Sequence, residues 1–326
     1  MTRLIAFDSL TFMSDAPVLT TALTFGDKVR LTAVCALAMA LFASVGWTIA
    51  RPADPFAAVS LLLESRAWPA VLASAVALGA VAAAVATVVV GPVMPEAGSL
   101  AAALGLATMS TRGGTMTEVL MYHGTSAGDR RLLAPILITE TFLWLTVVGA
   151  AWLVSGIVRG WLNGQSAVAP AAGSSRRWAR MREALVHLRD GVLGMVVSAV
   201  LACVFISATI SRSPESEIQR GQVFFAVGAG FLVAGAIVKQ IWPRGAACWY
   251  GLGVPLAAAL GYGWAILSPL ASGVSDYYAR LATTPPNDLF RPLPIEYVGV
   301  GVAGAILGHW LGQRMHEARA AKGAEP

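Results

Sequence analysis

Seven stretches of this chain, residues 29–49, 68–93, 132–158, 192–210, 223–241, 246–270 and 295–311, are apolar runs almost free of charge. Each approaches or exceeds the ~20 residues a helix needs to cross ~30 Å of hydrocarbon. Few folds are open to such a chain. Inside lipid every backbone N–H and C=O must find its partner within the protein, which leaves helices or closed barrels. Runs of this length read as helices. Of the 326 residues, 56% are hydrophobic and 13% charged, about half the ~25% charge of soluble domains. The expectation is an all-α, polytopic integral membrane protein.

An eighth apolar segment, 100–120, is interrupted. Its apolar part ends at Met109, and Ser110, Thr111, Arg112, Gly113 and Gly114 follow. A stretch so short reads as a re-entrant segment or a broken span. An internal repeat favours the broken span. Leu100 to Gly105 reads LAAALG, and so does Leu256 to Gly261. Weaker matches keep the same order at a shift of roughly 153–161 residues. Thr48, Ile49 and Arg51, followed by Asp54, align with Thr209, Ile210 and Arg212, followed by Glu215. Arg66 aligns with Arg220; Thr117 and Glu118 align with Ser275 and Asp276; Pro135 and Gly149 align with Pro294 and Gly308. A period of this kind outranks local readings. It predicts about eight transmembrane helices in two parallel four-helix repeats, a plan that recurs in transporters.

The resulting organisation is an N-terminal interfacial segment (1–28), a first repeat (29–158), a linker (159–191), a second repeat (192–311) and a tail (312–326). Residues 1–27 carry Asp8, Asp15 and Asp27 and lack a clean apolar core with a cleavage site, so the first span is expected to act as an uncleaved signal anchor. With eight crossings, 14 Lys and Arg fall on the side of the termini and the linker, and 9 on the other. Lys and Arg favour the cytoplasmic side, which predicts cytoplasmic termini in a bacterial inner membrane. In the linker, Arg176, Arg177, Trp178, Arg180, Met181 and Arg182 read as a basic amphipathic helix on anionic lipid; a docking helix for a protein partner is the alternative. The net charge of +5 rests largely on that linker, and no basic face interleaved with aromatics points to nucleic acid.

Glu140 is the one acid well inside an apolar run, and an intramembrane carboxylate is a functional candidate by default. It suits a proton relay or a cation site; a carboxylate bonded to a neighbouring hydroxyl is the plainer reading. The repeat aligns it with Gly299, so it has no copy in that register. Glu118 and Asp276 are copied and read either as an outer vestibule that attracts cations or as helix caps. Arg112, at the break, suits an anionic group or an ordinary loop position. Gly304, Gly308 and Gly312, and Gly253 with Gly261, form small-residue stripes that let helices approach closely in lipid.

Cys35, Cys203 and Cys248 lie in or beside apolar runs with no CxxC pair, so neither a disulfide framework nor a zinc site is expected. His187 and His309 are not at equivalent repeat positions and give no support to a haem pair. No cofactor and no metal are expected. The functional expectation is transport of a small solute or ion between the two units. The alternatives are a non-catalytic subunit that organises a membrane complex, and an intramembrane lipid-modifying enzyme. Lipid, including anionic lipid, and a membrane-protein partner or second copy are the expected partners.

Overall fold

The computed structural model describes residues 24–90, 94–162, 174–210, 219–242, 246–268 and 284–323, with backbone alone at 174–187 and 320–323. Among these residues the fold is all-helical, with no strand beyond an isolated bridge between Ala58 and Gly114. The helices are α1 (Phe25–Ala50), α2 (Trp68–Val90), α3 (Ala97–Ser110), α4 (Met116–His123), α5 (Ala127–Leu162), α6 (Ser174–Thr209), α7 (Arg220–Ile241), α8 (Ala247–Leu267) and α9 (Pro294–Arg319, with helical turns running on to Gly323). Seven of them, all but α3 and α4, contain a stretch long and apolar enough to cross a membrane. The architecture is that of a multi-pass membrane protein.

The helices are built inside-out relative to soluble bundles. In α2, the buried positions include Ala75, Gly79, Ala82 and Ala86, while Val81 and Val88 are more than half exposed. In α7, Gly230, Ala234 and Gly235 face inward, and Phe225 and Ile241 face outward. Lipid solvates the large side chains as well as a core would, so close backbone packing of small residues is what holds the helices together.

Helix α1 begins at a capping box in which Thr24 and Asp27 satisfy each other's backbone N–H groups. Helix α2 packs on α5 and α3; α1 packs on α2 and α3. Further along, α7 packs on α9, and α6 packs on α7 and α8. Three contacts join these groups: α5 lies on α8, α3 lies on α9, and the first turns of α9 lie on α5. Helix α3 is the central element. Its 14 residues rise ~21 Å, and nearly all are buried. Two π-helical turns press it, Phe42–Gly46 in α1 and Tyr297–Gly301 in α9. Phe42 fills the space a side chain at Gly105 would need, and a Cβ at Gly299 would stand 2.5 Å from the Ala107 amide nitrogen.

The chain ends of the helices define two faces. One, the loop face, carries segments 51–67, 111–126 and 284–293. The other, the linker face, carries Glu96, the ends of α5 and α7, the start of α8 and the end of α9. Helix α6 is a single run of 36 residues, so the basic segment expected as a separate surface helix is the N-terminal continuation of the apolar helix that follows it. At ~54 Å the helix is far longer than the hydrocarbon is thick. Trp264 on α8 is 59% exposed.

A Cβ at Gly308 would overlap the carbonyl oxygen of Leu232 on α7, and one at Gly149 would meet nothing within 4 Å. Overpacking of this kind costs about 1–3 kcal/mol. Gly308→Leu should lower the melting temperature in detergent and Gly149→Leu should not. Equal thermal shifts for the two variants would contradict the α7–α9 packing.

Candidate functional site

The polar side chains form two layers, one near each face, separated by packed Ala, Val and Leu such as Ala101, Ala103, Leu106, Val254 and Ala258. In the loop-face layer, the backbone of 57–61 dips into the protein and is wholly buried. Its anchor is Glu140, which is fully buried on α5. Ser60 Oγ donates to Glu140 Oε2 at 2.6 Å, the Leu61 amide donates to Oε1 at 2.9 Å, and Trp144 Nε1 donates to Oε1 at 3.1 Å from one turn along α5. The carboxylate thus meets three donors and has no free access to a pathway.

The same dipping loop explains the break after α3. The Gly114 amide donates to the Ala57 carbonyl at 2.9 Å, and a Cβ at Gly114 would overlap the Phe56 carbonyl oxygen. Tyr122 donates to Asp54 at 3.1 Å, and His123 lies 2.8 Å from Glu64. The Asp54 carboxylate beside the exposed Tyr122 phenol raises that group above its ordinary range.

A second anchor joins the two helix groups. Arg220, at the start of α7, lies 3.3 Å from Glu296 Oε1 and donates to the carbonyls of Thr111, at 2.7 Å, and of Gly114. Glu296 is buried and also accepts from the Leu293 amide at 2.9 Å. Arg130, buried in the first turn of α5, donates to the Gly124 carbonyl at 2.9 Å and to the Thr284 carbonyl at 3.0 Å. Tyr262 and Tyr297 donate to the Pro292 and Leu289 carbonyls. The segment before α9 is thereby fixed to α5, α8 and α9.

The linker-face layer is smaller. Trp310 Nε1 on α9 donates to Glu96 at the start of α3, at 3.1 Å. Arg159 lies within electrostatic reach of Glu96 and donates to the Ser155 carbonyl at 3.3 Å. Gln240 donates to the Gly312 carbonyl. His309 is buried against Tyr250, with ring centroids 5.4 Å apart, and its Nδ1 has no hydrogen-bond partner among the described residues. Lys239 lies nearby and is 8% exposed.

The candidates from sequence fall apart in space. Glu140 is bound to its own loop. Glu118 closes a capping box with Thr115 at the start of α4. Arg112 is exposed in the turn after α3. Asp276 lies outside the described residues, as do the side chains of Arg176, Arg177, Trp178, Arg180, Met181 and Arg182. Gly304 and Gly312 abut α7, Gly253 abuts α6, and Gly261 abuts Leu289. Sequence reasoning missed Glu296, Arg130, Glu96 and Lys239, and it used Arg220 only as a repeat marker. The signal for Glu296 was its position in a Pro-Ile-Glu string at the mouth of an apolar run. No group of three or more His, Cys, Asp or Glu suited to a metal occurs among the described residues.

Replacing Glu140 by Leu strands the Ser60 hydroxyl, the Leu61 amide and the Trp144 indole, each at about 1–3 kcal/mol. Glu140→Leu should melt lower and be nicked by protease within 51–67. Glu140→Gln, which keeps an acceptor oxygen, should stay close to the parent. Parental stability and protease resistance in Glu140→Leu would refute the anchor. Compared with known proteins, the chain matches no family model, no curated protein and no solved structure, so its function is argued from this geometry.

Proposed function

We propose that this chain is a non-catalytic membrane subunit that organises a larger complex, built as two parallel four-helix units with α3 as a short third crossing. One observation carries the reading: Glu140, Glu296, Arg130 and Arg220 are each held by groups of the protein itself, and between the polar ties at the two faces the seam between the units is apolar and backbone-close. Glu140 meets three donors, and Gly299 leaves no room for a methyl group against α3. A seam of that kind suits a permanent joint.

The duplication has further support. Glu140, in the fourth span, holds the loop between spans one and two; Glu296, in the eighth, takes Arg220 just after the loop between spans five and six. The two acids are 156 residues apart, as are Leu100 and Leu256 of the LAAALG strings. In this register Glu140 does have a copy. The fourth span of each unit also packs on the third span of the other, as a twofold relation along the membrane normal requires. The excess of Lys and Arg supports a linker face turned to the cytoplasm in a bacterial inner membrane, with the basic stretch 176–182 suited to anionic lipid or a partner.

Transport is the second reading. It is favoured by the ties between units at both faces, Arg220 to Thr111 and Gly114 at one and Glu96 to Trp310 at the other, because a carrier needs a closure on each side. The two readings divide on water at the seam. In a chain with Cys35, Cys203 and Cys248 replaced by Ala, cysteines at Ala103 and Val254 should stay inert to a charged thiol reagent applied to proteoliposomes. A cysteine at the exposed Arg112 should react. Labelling at Ala103 or Val254 would overturn the subunit reading in favour of transport.

A further inference from the structure

A furrow of about 350 Å³ lies between the two units, on the loop-face half of the bundle. Thr108 and Thr111 of α3, Phe224 and Leu232 of α7, and Val300 and Leu307 of α9 line it, with α1 closing one edge. Its chemistry is hydrocarbon. The two threonine hydroxyls are spent inside α3, Thr108 on the Leu104 carbonyl at 2.8 Å and Thr111 on the Thr108 carbonyl at 2.7 Å. They therefore turn no unsatisfied donor to an occupant.

Size selects among hydrocarbon occupants. A helix with side chains is ~10–12 Å across, and two turns fill on the order of 1,000 Å³. A partner helix would leave most of its bulk outside and seat only a few side chains. A single alkyl chain fits. From Phe224 to Leu232 the furrow runs ~12 Å at 1.5 Å per residue, most of one leaflet of a ~30 Å core.

Charge marks one end. Arg220 stands one turn above Phe224 on α7, and Glu296 one turn above Val300 on α9. The Arg220 guanidinium bonds the carbonyl of Thr111, which itself lines the furrow. Arg112 follows directly and is exposed. Two guanidinium groups against one carboxylate leave the mouth cationic.

We propose that this furrow holds one acyl chain of a phospholipid from the loop-face leaflet, with its phosphate beside Arg112 and Arg220. The site goes beyond the subunit reading and stands whether or not that reading holds. The test uses the full chain in phosphatidylcholine vesicles doped with phosphatidylglycerol that carries a diazirine in one acyl chain. After irradiation, adducts are mapped by peptide mass spectrometry. Adducts should concentrate on 108–111, 224–232 and 300–307 about tenfold over the lipid-facing Val81 and Leu153, the ratio that ~1.4 kcal/mol of preference gives. Thr108→Phe, which fills the furrow, should bring those segments down to the Val81 level; Leu307→Trp at the rim should do the same if Thr108→Phe does not fold. Arg112→Ala should lower furrow labelling by the phosphatidylglycerol reagent and leave labelling by a diazirine diacylglycerol unchanged. Labelling that follows exposure evenly around the bundle, labelling unaffected by both filling variants, or crosslinks from these segments to another polypeptide in place of lipid would each overturn the proposal.

Discussion

A helix that stops short leaves carbonyl oxygens with no partner inside it, and the structure is organised around meeting that demand at the end of α3. The last four carbonyls of a helix have no partners within it. Here Ser110 Oγ takes the Ala107 carbonyl, the amide and hydroxyl of Thr111 take Thr108, and the Arg112 amide takes Met109. The carbonyls of Thr111 and Gly114, just past the helix, go to Arg220 from the other helix group. Glu296 neutralises that arginine. An arginine suits the task because its planar fork of donors can serve two carbonyls and a carboxylate at once. Removing one partner of such a buried pair costs about 3–5 kcal/mol, because the survivor remains charged and buried.

The polar groups lie in two sheets near the membrane faces, and the volume between them is filled by small apolar residues. Such a division suits a rigid body. Four buried charges each have at least one backbone partner: Glu140 the Leu61 amide, Glu296 the Leu293 amide, Arg130 two carbonyls, and Arg220 two more. Backbone partners cannot rotate away, so these contacts fix loops to helices with little freedom at either end. The furrow beside Thr108 lies among α1, α3, α7 and α9, and its lining is apolar.

Much of the fold was legible because lipid imposes a simple pattern. The apolar runs announced α1, α2, α5, α7, α8 and α9 to within a few residues at most ends, and the Gly113 and Gly114 pair announced the break. The reason for that break was not legible. It lies in the close passage of the Phe56 and Ala57 backbone, and a backbone contact leaves no trace in side-chain identity. Glu140 stood out as a lone acid, yet two of its partners are a serine and a main-chain amide some 80 residues away. Glu296 was hidden by its place at the edge of an apolar run, where an acid is ordinary, and by a repeat register fixed on Pro135 and Pro294. The α6 boundary was missed because a polar stretch at the head of a long helix looks the same in sequence as a separate one.

The grip on α3 has a consequence for how the protein is made. This helix is the shortest of the apolar ones, and it is held by Phe42 on one side and by Gly299 on the other. Arg220, which caps its far end, is synthesised more than a hundred residues later, and the turn carrying Gly299 later still. When α3 first leaves the ribosome, neither its second wall nor its cap exists. Its final seat between Phe42 and Gly299 is therefore a late event, completed only when the closing helix arrives.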